Sequence, residues 1–190
     1  SLADLPRWIA AHCGIMFNHG ERKVHNIARK PKLFWDHMSA NAIRERVGSA
    51  IWDEYYKFTV ERNPWDAVVS RYHWDPKKSK KVTSFHDFVL SGRPLRSNFD
   101  RYTINGIVAV DKILRYDRLY SDLAELARYL GFTEDIGATV RSLKAKGGYR
   151  PRRSIESYYD SELIRIIEIF FAREVYLLGF SYGDWNDNNE

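Results

Sequence analysis

Arg62 and Ser70 lie eight positions apart across an Asn63-Pro64 step, in the run Tyr56-Lys57-Phe58-Thr59-Val60-Glu61-Arg62-Asn63-Pro64-Trp65-Asp66-Ala67-Val68-Val69-Ser70. An arginine presents a planar fork of N–H donors that matches the oxygens of a phosphate, and a serine hydroxyl adds one more donor. The stretch before Arg62 predicts a strand that ends on the arginine. Asn63 suits the cap of a following helix, and Pro64 suits its first position because the missing N–H would be unpaired there anyway. Asp66 places a carboxylate in the first turn, where the helix dipole favours it. Junctions of this kind bind anions, so Arg62 and Ser70 can converge on one anionic group. An ordinary strand–helix junction with Arg62 in a salt bridge fits the same residues equally well.

Other side chains could complete such a site. Lys146 and Arg150 flank Gly147-Gly148, which fits either a cationic lid or a solvated basic loop. His37 lies just before Ser39, a helix cap, where a helix start would project an imidazole that titrates near neutral pH. A ring bonded to nearby backbone is the alternative. His73 shares the Ser70 helix and ranks second as a proton acceptor. No metal site is expected, since no His-x-x-x-His spacing or carboxylate cluster stands out and Cys13 is the single cysteine. Trp52, Trp65 and Trp74 near the junction read as core, with Trp74 equally able to serve as a sugar platform.

The elements that must hold these groups alternate strand and helix. Residues 2–12 predict an amphipathic helix, and residues 18–32 a basic surface loop. Ser39 caps a short helix through Val47, closed by Gly48. A buried strand over 57–61 leads into a helix from Pro64 to about Trp74. A lysine-rich loop over 75–82 follows, and then a short helix capped by Ser84 that runs to Leu90. Tyr102-Thr103-Ile104, Asn105-Gly106 and Ile107-Val108-Ala109-Val110 predict a hairpin with a type I′ turn. Residues 112–116 predict a core strand, 121–130 an amphipathic helix ending at Gly131, and 133–143 a further helix. Residues 144–153 read as a loop. Asp160 caps the longest helix, from Ser161 to about Leu178, with Leu163, Ile166, Ile167, Phe170, Phe171, Val175 and Leu178 on its apolar face and Gly179 closing it. Strands separated by helices make an α/β class with a mainly parallel sheet.

The totals agree with one folded domain. At 190 residues, with 44% hydrophobic and 15% aromatic content, the chain can bury a substantial core and is not disordered. No apolar run approaches the roughly 20 residues that span a bilayer. There is no secretory segment near Ser1, and a lone cysteine demands no oxidising compartment, so a cytoplasmic location is expected. The net charge of +5 suits an anionic cofactor or substrate, and would equally suit weak nucleic-acid affinity.

With the elements placed, the chain resembles the 3′-phosphoadenosine 5′-phosphosulfate (PAPS)-dependent sulfotransferases, in the bacterial type related to carbohydrate sulfotransferases. The junction motif is one part of the likeness. The others are His37-Met38-Ser39-Ala40 before the strand, Val110-Asp111-Lys112-Ile113-Leu114-Arg115-Tyr116-Asp117, and Lys146-Gly147-Gly148-Tyr149-Arg150 followed by Tyr158-Tyr159-Asp160 and the long helix. These run from about His37 to Gly183. One part of the family pattern is missing: a phosphate loop of the form Pro-Lys-x-Gly-(Gly/Thr)-Thr-Ser, whose last serine would fall at Ser1. The expectation is a chain that starts just inside that motif.

The resemblance implies a single domain over 1–190 with the P-loop-nucleotide-kinase-like sulfotransferase fold: a mainly parallel central sheet flanked by helices, lacking its N-terminal strand and loop. It implies transfer of a sulfuryl group from PAPS to an acceptor hydroxyl, carbohydrate being the family's commonest choice. Arg62 and Ser70 would clamp the 3′-phosphate, Tyr116 would meet the adenine or merely pack, Lys146 to Arg150 would close over the nucleotide, and His37 would be the base. A nucleotide-binding module without transfer chemistry is the rival reading. Nucleic-acid binding through Lys77 to Lys81 is a poor third, because those lysines lack interleaved aromatics and 25 acidic residues dilute the field.

Overall fold

The computed structural model describes residues 34–74, 84–142 and 153–185. These fall into two compact units, one from residues 34–60 and 100–113, the other from 61–99 and 114–185 with the same gaps. The predicted helix over 2–12, the loops over 18–32 and 75–82, and the Lys146–Arg150 segment lie outside the described residues.

In the first unit, helix α1 (Ala40–Val47) is capped as expected: the Ser39 hydroxyl accepts from Ala42 N–H at 3.3 Å, and Gly48 at φ 83° ends it. A second short helix, α2 (Ser49–Glu54), follows directly. Asn105 and Gly106 both have positive φ, 53° and 77°, the requirement of a type I′ turn. They join β2 (Thr103–Ile104) to β3 (Ile107–Val108), with Thr103 opposite Val108 and Ile104 opposite Ile107. The second strand of the hairpin is thus shorter than the apolar run through Val110 predicts. Met38, Ala40 and Tyr102 supply the buried apolar side chains of this unit.

Strands β1 (Phe58–Glu61) and β4 (Lys112–Arg115) pair as a small parallel sheet, and the division between the units falls within both strands. With its helices, this makes the chain α/β. Asp111 fastens the start of the pair: its carboxylate accepts from Lys57 N–H at 2.6 Å and meets the Lys57 ammonium at 3.0 Å.

The second unit carries helices α3 (Pro64–Trp74), α4 (Phe85–Leu90), α6 (Leu119–Tyr129), α7 (Ile136–Ser142), α8 (Ser161–Phe170) and α9 (Ala172–Leu178); the one-turn helix α5 (Phe99–Tyr102) lies between α4 and β2. Trp65, Val68, Val69 and Tyr72 of α3 form a core with Phe88 of α4 and with Leu163 and Ile167 of α8. Helix α6 begins two residues earlier than its sequence pattern predicts, because the 3₁₀ turn Tyr116–Arg118 feeds straight into it. It packs closely on α7: a Cβ on Gly137 would sit 2.5 Å from the Tyr120 carbonyl oxygen.

The predicted long terminal helix is two helices with a kink at Phe171 (φ −100°, ψ 25°). The ladder survives the kink, since Phe171 N–H bonds Ile167 O and Val175 N–H bonds Phe171 O, both at 2.9 Å. The buried row runs Leu163, Ile167, Phe171, Glu174, so the expected inward position of Phe170 is exposed and a carboxylate is buried in its place.

Candidate functional site

Asn63 builds the strand–helix junction. Its Oδ1 accepts the Trp65 N–H at 3.1 Å, capping α3, and its Nδ2 donates to the carbonyls of Ser181 and Asp184, each at 3.0 Å. One fully buried side chain thus starts the helix and holds the chain that follows α9. Pro64 takes the first helical position, and Ala67 N–H makes the first ladder bond to Asn63 O at 2.9 Å.

Arg62 is half-buried beside this cap. Its Nε donates to Asp66 Oδ2, the salt bridge that the sequence left open, and its guanidinium lies 4.4 Å from the centre of the Tyr116 ring. Asp66 and the ring therefore fix the plane of the guanidinium from two sides. Both Nη groups have no partner among the described residues. Asp66 is one turn before Ser70 on α3, and residues four apart on a helix have Cβ atoms about 5–6 Å apart. The pairing with Asp66 thus holds Arg62 on the face that carries Ser70. The Ser70 hydroxyl is half-buried and also has no partner among the described residues. A guanidinium fork with free ends and a free hydroxyl on one helical face can bind a tetrahedral anion, with Asp66 offsetting part of the charge.

His73 lies one further turn along. Its Nε2 is 2.8 Å from the Tyr158 hydroxyl, and the Arg153 guanidinium covers the Tyr158 ring at 4.4 Å. Sequence reasoning gave His73 no partner, because Tyr158 is distant in the chain. Trp65 is core, its indole N–H donating to Ile164 O at 3.1 Å, whereas Trp74 is half exposed. Trp52 is half-buried, with the Lys57 ammonium 5.5 Å from its ring.

Behind Arg62 lies a buried charge cluster that sequence reasoning missed. Glu61 and Glu174 are buried. Burial pushes the Glu61 carboxyl above the usual range, and the neighbouring Glu174 adds to this against the bonds from Arg62 N–H and Asn98 and the charge of Arg71. Burial likewise lowers the pKa of Arg71, opposed by Glu61. The available signal was a glutamate inside the strand immediately before Arg62.

His37 belongs to the first unit, so its position is described there alone. It is exposed, has φ 61°, and its carbonyl oxygen accepts from Arg101 Nη1. A histidine at positive φ is a strained backbone held by its neighbours. Among the described residues no group of three or more potential ligands could hold a metal ion, and no helix is long and apolar enough to cross a membrane.

The chain matches no protein-family model and no solved structure. It is similar to a protein of Archaeoglobus fulgidus described as an uncharacterized protein. The two are 37% identical over 118 residues, which is 60% of this chain and 98% of the archaeal protein. With nearly the whole of that relative covered at this identity, the chain belongs to the same family as the archaeal protein.

Proposed function

We propose that the chain is a PAPS-dependent sulfotransferase domain acting on a hydroxyl acceptor, a carbohydrate by the family's habit, in the cytoplasm. The observation that carries this reading is the state of Arg62: locked in plane by Asp66 and Tyr116, with both Nη groups lacking a partner among the described residues, on the helical face of Ser70. In this reading the Nη groups and the Ser70 hydroxyl bind the 3′-phosphate, and Tyr116 is a positioning residue beneath the guanidinium. Lys146, Gly147, Gly148 and Arg150, outside the described residues, are given to the nucleotide by the resemblance alone, within a sulfotransferase variant of the α/β fold. The acceptor oxygen forms a bond to sulfur as the bond from sulfur to the 5′-phosphate oxygen breaks. Adenosine 3′,5′-bisphosphate leaves, and the acceptor proton passes to a base, a role that the resemblance alone gives to His37. Catalysis of this kind rests on positioning and electrostatics, as in phosphoryl transfer.

The rival reading is a nucleotide-binding module without transfer chemistry. Both readings expect the same result in calorimetry. Adenosine 3′,5′-bisphosphate is expected to bind about ten- to 150-fold more tightly than adenosine 5′-phosphate, the span of one charged hydrogen bond. Equal affinity for the two nucleotides overturns both readings. Release of labelled sulfate onto an acceptor then decides between enzyme and module.

A further inference from the structure

Glu61 and Glu174 take their donors from consecutive residues. The Ser97 hydroxyl donates to Glu174 Oε1, and Asn98 Nδ2 donates to Glu61 Oε1 at 3.2 Å, so two neighbouring side chains link the carboxylates. The carboxylates are 5% and 2% exposed, and each keeps its Oε2 fully buried with no partner among the described residues. The cation facing both is Arg71 of α3, whose Nη1 donates to Pro94 O at 2.6 Å; Arg62 and Arg96 face Arg71 in turn. A buried oxygen without a donor costs far more on an ionised carboxylate than on a neutral acid. Two like charges in one site also resist joint ionisation. Arg62 is paired with Asp66 and Arg96 is exposed, so among the described residues the cation buried with the two carboxylates is Arg71, and two ionised carboxylates outnumber it.

We propose that Glu61, crowded by the Glu174 carboxylate, keeps its proton at neutral pH, forming a proton-linked latch at the end of β1. The inference does not depend on sulfotransfer. Glu61 Oε1 also accepts the Arg62 N–H at 3.1 Å, so the state of the pair sets the charge directly behind the anion site. The direction of the Glu61 shift, upward through burial, agrees. A carboxyl whose folded pKa is raised contributes stability that is fully present below the unfolded value. That stability is lost as pH rises through the folded value.

Thermal unfolding of the full chain against pH tests the latch. Glu61→Gln, which mimics the neutral acid, is expected to raise Tm by about 2–4 °C near about pH 8 and leave it unchanged near about pH 4. Glu174→Gln leaves Glu61 and Arg71 matched one to one and is expected to behave likewise. The double substitution strands Arg71 and is expected to lower Tm below both single variants at either pH. Single variants that lose stability or fail to fold at both pH values overturn the proposal, as does a double variant no less stable than the singles. So does stabilisation of the wild type by potassium or magnesium that Glu61→Gln abolishes, since a bound cation would then occupy the gap.

Discussion

Arg62→Ala separates the ion pair that the structure shows for this guanidinium from the phosphate clamp proposed for it. In the free protein it removes the ion pair with Asp66, whose partners are 27% and 11% exposed. Pairs with this degree of solvent access contribute about 0–1 kcal/mol. Asp66 keeps the favourable field of the α3 N-terminus, so Tm is expected to fall by no more than about 2–4 °C. In the complex the same change removes the Nη donors from the 3′-phosphate. A hydrogen bond to a charged group contributes about 1.5–3 kcal/mol, which weakens the bisphosphate about ten- to 150-fold. Adenosine 5′-phosphate offers nothing for these donors to hold and is expected to lose less than about twofold. The assay is calorimetry of both proteins with both nucleotides at one ionic strength, because surface charge effects fall with salt. The ratio of the four constants isolates the coupling between Arg62 and the 3′-phosphate. Equal loss for both nucleotides, or no loss for either, refutes the clamp. Arg62→Lys is expected to fall between, since one ammonium cannot serve Asp66 and the phosphate with the geometry of a fork.

Four further outcomes test the surroundings. Ser70→Ala is expected to weaken the bisphosphate by about 0.5–1.5 kcal/mol, measured in the same titration, and an unchanged constant removes the hydroxyl from the site. Tyr116→Leu is expected to cost about 0.5–2 kcal/mol of bisphosphate affinity through the lost ring beneath Arg62, with unaltered affinity showing that Asp66 alone positions it. Asn63→Ala deletes a helix cap and two part-buried bonds, so denaturant unfolding is expected to show a loss of about 2–4 kcal/mol; under about 1 kcal/mol contradicts its role as the pin of the junction. His37→Ala is expected to cut acceptor sulfation about a hundredfold or more while nucleotide affinity holds, and a larger loss in His73→Ala transfers the base to α3.

Features that depend on a few adjacent residues were legible in the chain itself. Ser39, Asn63, Ser84 and Asp160 each cap the helix that follows, and Asn105-Gly106 makes the turn that its two positive φ angles require. A cap or a turn is a local bond between neighbours, so residue type and order suffice to specify it. The junction that places Arg62 and Ser70 is readable for the same reason. Tertiary structure decided what those residues meet. Whether Arg62 paired with Asp66 or stood free was open in the sequence, and Tyr116 could be placed beneath it only once β4 lay beside β1. His73 found Tyr158 across 85 positions, and Glu61 found Asn98 across 37. The burial of Glu174 and the exposure of Phe170 reverse what their hydrophobicity predicts. Periodicity ranks side chains by their own transfer cost. Distant donors such as Ser97 supply part of what that ranking omits, and charge balance with Arg71 supplies the rest, so the inside of a helix is settled by what packs against it.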